Sequence, residues 1–149
     1  MSNRKAVVVF GLLLLMATGC KKQEPTSTAT KTHPAAENAA LASAQTWLAT
    51  VDGANYSKGW DETSPSLKVA AGKADFDKSL RGARTPLGTL VSRAVKSKQY
   101  ATSLPGAPDG EYVVIQFDTT FQNKAHAVET VTPKLDSDGQ WRVSGYYIK

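Results

Sequence analysis

One cysteine in 149 residues excludes an internal disulfide. Two histidines beside it leave too few ligands for a structural zinc site, which needs four such donors. The apolar run Ala6 to Ala17, "AVVVFGLLLLMA", has only 12 residues, whereas a helix needs about 20 to cross a hydrocarbon core of roughly 30 Å. Strong charge is lacking too. The formal net charge is +5, and Arg4 and Lys5, two of its basic contributors, belong to the segment that precedes that run. No basic stripe with interleaved aromatics appears, so nucleic acid is not an expected partner. There is no G-x-S-x-G elbow, and the Pro- and Gly-rich "LPGAPDG" has no phosphate-cradling pattern. The expectation is therefore a chain without cofactor or metal. With 41% hydrophobic and 21% charged residues, its composition is that of a folded domain.

The lone cysteine, Cys20, sits in "LMATGCKK" between the apolar run and Lys21-Lys22. Asn3-Arg4-Lys5, the apolar stretch and the small residues after it have the layout of a signal peptide. An ordinary signal peptidase would accept Ala17 and Gly19. A free thiol at the start of a mature chain is, however, a liability in an oxidising compartment. "ATGC" resembles the lipobox of bacterial lipoproteins, with Ala17 where leucine is usual. That resemblance implies a signal peptide over residues 1–19 and lipidation of Cys20 on sulfur. Two or more acyl chains hold a protein on a bilayer lastingly, at about 0.8 kcal/mol per buried CH₂. It also implies a cell-envelope location facing the periplasm. Lys21, where an aspartate would signal inner-membrane retention, favours the outer membrane.

Residues 21–35, "KKQEPTSTATKTHPA", are polar and aperiodic and read as a flexible tether, so that the folded domain spans 36–149. Leu41, Ala44, Trp47, Leu48 and Val51 recur at helical spacing and predict a helix over 36–51, stopped by Asp52-Gly53. Shorter helices are predicted over 54–63 and 66–71, the latter opened by Ser64-Pro65. A longer one over 74–84 would bury Phe76, Leu80 and Ala83. Beyond Gly88 the period changes to two. Strands are predicted over 90–104, 112–121, 125–135 and 140–148, with Asp136-Ser137-Asp138-Gly139 as the clearest hairpin turn. Helices followed by a meander give an α+β fold: N-terminal helices packed on a curved four-stranded antiparallel sheet.

The segments "RTPLG", "LPGAPDGEYVVIQFDTTF", "AVETVTP" and "DGQWRVSGYYI" resemble a bacterial family of secreted and lipoprotein domains of unknown function, over about 40–148. The resemblance implies a cystatin-like or nuclear-transport-factor-like cone, and it supplies no catalytic residues.

Glu129 is the most suggestive side chain. A three-residue turn at Gln122 to Lys124 pairs Phe117 with Glu129 and turns the carboxylate toward the apolar face; a two-residue turn pairs Gln116 with Glu129 and turns both outward. An inward acid can serve as a general base or can pair with an arginine. Arg81, Arg84 and Arg93 can grip an anion through their forked guanidiniums, or cap helices and pair with acids. His126 has no second histidine in the folded domain to work with. Two functions remain open: a membrane-anchored, non-enzymatic binding or envelope-associated domain, or a small-molecule enzyme using Glu129 or His126 for proton transfer, with Arg84 and Arg93 lining the same pocket.

Overall fold

The computed structural model describes residues 32–149; the predicted leader, Cys20 and most of the tether lie outside the described residues. Among these, four helices come first: α1 (Pro34–Asp52), α2 (Tyr56–Asp61), α3 (Pro65–Ala70) and α4 (Lys73–Arg84). After a 3-10 turn at Thr85–Leu87 follow four strands: β1 (Leu90–Ala101), β2 (Tyr112–Phe121), β3 (Lys124–Leu135) and β4 (Trp141–Ile148). The strands form one antiparallel sheet in the order β1-β2-β3-β4, curved and unclosed, and the fold is α+β.

Helix α1 lies across the sheet and touches all four strands. It starts at Pro34, ahead of the predicted Ala36, because proline at the first helical position gives up no needed donor. Its apolar stripe of Ala40, Ala44, Trp47, Leu48 and Val51 is buried against Val113, Ile115, Phe117, Val131 and Val143. At its far end Asn55 N–H donates to Thr50 O and Ala54 N–H to Val51 O, a Schellman closure. The left-handed position of that closure falls on Ala54, with φ of 58°, one residue after Gly53. Helix α3 is capped as expected, the Ser66 amide donating to Ser64 Oγ. Helix α4 buries Phe76, Leu80 and Arg84; Ala83, predicted to be inside, is exposed, because the stripe runs in steps of four.

Irregularities in the sheet decide which side chains face α1. The β2–β3 turn is the two-residue one, Gln122-Asn123, with Phe121 opposite Lys124. That alone would turn Glu129 outward. A bulge places Ala125 and His126 together opposite Thr120, which shifts the register so that Phe117 pairs with Glu129 and Ile115 with Val131. A second bulge breaks the alternation of β4, which by itself would put Val143 and Tyr147 on one face. Pro133 of β3 has no N–H for the ladder, and Thr132 and Pro133 pair with Gly145 and Val143, leaving Ser144 over. Val143 and Tyr146 therefore point inward, while Tyr147 is 57% exposed.

Candidate functional site

Four charged side chains meet under the C-terminal end of α1. Asp52 ends that helix and Arg84 ends α4; each extends an apolar stripe by one further step of four, from Ala44 and Leu48 in one case and from Phe76 and Leu80 in the other. Arg93 comes from β1, beside Thr119 of β2, and Glu129 from β3. Tyr146 of β4 completes the cluster. Glu129 is fully buried.

The bonding is closed. Glu129 Oε1 accepts from Arg84 Nη1 at 2.7 Å and from the Tyr146 hydroxyl at 2.6 Å. Its Oε2 accepts from Arg93 Nε and from Thr119 Oγ1, each at 2.7 Å. Arg93 turns its other two nitrogens to Asp52, at 2.7 and 2.9 Å, and Arg84 Nη2 also donates to Asp52. Arg84 Nη1 donates in addition to the Tyr146 oxygen at 3.0 Å, and its guanidinium lies 4.7 Å from the centre of the Phe121 ring. Two carboxylates face two guanidiniums, so the buried cluster carries no net charge. Such pairing offsets a desolvation cost of several kcal/mol per ion.

The surroundings set each group's protonation. Burial pushes the Asp52 carboxyl up, but Arg93 and then Arg84 outweigh it and hold the group below its ordinary 3.8. Burial lowers both guanidiniums, and their anionic and phenolic partners more than restore them, so both lie above the usual arginine value. Burial, reinforced by Glu129, drives the Tyr146 phenol well above its ordinary value, so it stays protonated and donates.

Glu129 thus has donors on all four of its lone-pair positions and none left for a substrate proton. Asp52 and Arg93 line a cavity of about 240 Å³ with Gln45 and Val95, and Tyr146 borders a separate one with Phe76 and Leu80. Of the residues singled out from the sequence, Glu129, Arg84 and Arg93 come together here. His126 does not join them. It is exposed on the opposite face of the sheet, in a shallow groove with Lys96 and Asp118, because the bulge that turns Glu129 inward leaves it outside. Arg81 stays on the surface, paired with Asp77 at 3.1 Å.

The sequence pattern did not place Asp52, Thr119 or Tyr146 beside Glu129. Asp52 was legible: a charged residue one helical step beyond Leu48, on the buried stripe. Tyr146 was not, since its inward direction depends on the bulge at Pro133. Among the described residues, no group of three or more acidic, histidine or cysteine side chains is arranged to hold a metal.

A family model described as "Protein of unknown function (DUF4019)" matches residues 43–146, a span that contains all six residues of the cluster. No curated protein and no solved structure matches the chain.

Proposed function

The chain belongs to this family of unknown function, and from its own residues we propose that it is a non-enzymatic binding domain moored to the cell envelope by a lipid on Cys20. The observation that carries the non-enzymatic half is the saturation of Glu129, a buried carboxylate whose four acceptor positions are occupied by Arg84, Arg93, Thr119 and Tyr146. A general base must have a lone pair within reach of a substrate proton, and this one has none. The cluster instead ties helix ends to strands. What supports the mooring is the order of features in the sequence: basic start, short apolar run, small residues, cysteine, then a polar tether. With Lys21 after the cysteine, the reading extends to the outer membrane, with the domain facing the periplasm.

The test is metabolic labelling with a fatty acid, followed by membrane fractionation. The unaltered chain is expected to carry label and to sediment with membranes, and Cys20→Ser to lose both. A Cys20→Ser chain that still labels and sediments would overturn the anchoring.

A further inference from the structure

The two edges of the sheet differ. Strand β1 is irregular: its register against β2 shifts between Leu90 and Ser92 and again between Val95 and Ser97, and it carries Arg93, Lys96 and Lys98. Bulges and charges of this kind keep another chain from pairing with an edge. The β4 edge is covered in its first half, where Val143 O accepts from the Ser64 amide at 2.9 Å and Trp141 O from Ser43 Oγ at 2.7 Å.

The second half is open. Lys149 and Val128 exchange both main-chain hydrogen bonds, so along the regular ladder Tyr147 and Gly145 also turn theirs to β3, opposite Thr130 and Thr132. The N–H and C=O groups of Tyr146 and Ile148 therefore point away from β3, and among the described residues they have no partner. A cavity of about 330 Å³ runs beside them, between β4 and α4. Phe76, Leu80, Ala83, Tyr146, Tyr147 and Ile148 line it, and no charged side chain does. Tyr146 and Ile148 point inward, opposite Val131 and Glu129, whereas Tyr147 points outward. A space bordered by residues of both faces lies along the strand's edge. Free main-chain groups beside an uncharged apolar groove are complementary to another extended strand.

Strand β4 is itself such a strand. We infer that two copies of this chain pair antiparallel through their β4 edges, about a twofold axis at Tyr147. That register uses every free group: Tyr146 exchanges hydrogen bonds with the second copy's Ile148, and Ile148 with the second copy's Tyr146. The faces match, because both residues point inward, and each copy's Ile148 adds its side chain to the other's groove. Gly145 stands opposite the second copy's Lys149 and leaves it room. The contact is the same on both sides, so assembly closes at a dimer, and the β1 edges that remain are the guarded ones. The pairing needs no lipid on Cys20, so its failure would leave the anchoring untouched, and the reverse.

Across this axis the two Tyr147 Cα atoms stand about 4.5 Å apart, within the roughly 4.4–6.8 Å that a disulfide spans. The experiment is mild oxidation of the full chain carrying Tyr147→Cys, beside Gln99→Cys on exposed β1 and beside the unaltered chain, whose one cysteine is Cys20. Tyr147→Cys is expected to give a reducible dimer on a non-reducing gel, and the other two to give little. Adding Ile148→Pro, which removes an N–H that β3 does not use, is expected to abolish most of that dimer. Adding Ser79→Glu instead puts a charge on the exposed α4 wall of the groove and is expected to do the same. A Tyr147→Cys dimer no stronger than the two controls would overturn the pairing. So would a dimer that survives both added changes, or a cross-link to a different protein in its place.

Discussion

Ala54 holds a left-handed backbone, with φ of 58°, at the position of the helix closure that glycine usually fills. A Cβ in that region costs about 1–2 kcal/mol, part of which glycine returns as lost chain entropy on folding. Ala54→Gly is expected to raise stability by about 0.5–1 kcal/mol, read as a higher urea midpoint with unchanged slope. Glu129 is the opposite case. Replacing it with glutamine leaves Arg84 and Arg93 sharing Asp52 alone in a buried site. Removing one partner of such a network costs about 3–5 kcal/mol, a large fraction of the 5–15 kcal/mol typical of a domain. Denaturant unfolding of Glu129→Gln should show that loss; a variant as stable as the parent would mean the cluster does not hold the fold together.

At the scale of elements, the helices were legible because their burial follows a fixed step. The stripe of α1, from Ala40 to Val51, was readable at nearly every position. Trp47 is 2% exposed and its indole donates to Gly59 O at 2.9 Å, joining α1 to α2. Trp47→Ala is therefore expected to cost about 3–5 kcal/mol, measured by thermal or chemical unfolding. The strands were harder. Their positions were legible from alternation, but the direction of individual side chains was not, since one extra residue reverses everything beyond it. That is why alternation from Val143 would carry Tyr147 inward, whereas the structure turns Tyr146 inward, partly buried against the core. The inward face of Glu129 was legible only as one of two registers. The structure reaches the inward register by combining the short turn with a bulge, a solution that turn length alone does not reveal.

Over the whole molecule, the ion cluster gathers Asp52, Arg84, Arg93, Thr119, Glu129 and Tyr146 from six different elements. Its acid sensitivity follows from Asp52. The folded carboxyl titrates below 3.8, so its contribution is complete above that pH and is lost as the pH falls through the lower folded value. At the surface, Asp138 is held at about 2, chiefly by Arg142 and then by the Gln140 amide, and its smaller contribution fades in the window between 3.8 and about 2. Stability is thus expected to be flat from neutrality to about pH 4 and to fall steeply below it. Asp52→Asn should flatten that fall while lowering stability at pH 7, as followed by circular dichroism. The spacing of the cluster along the chain carries a last consequence, for the order in which the protein is made. The first member stands at position 52 and the last at 146, so a chain made from its N-terminus carries Arg84 and Glu129 without their final hydroxyl partner until β4 has been made. The six-membered cluster can therefore close only after all four strands are present.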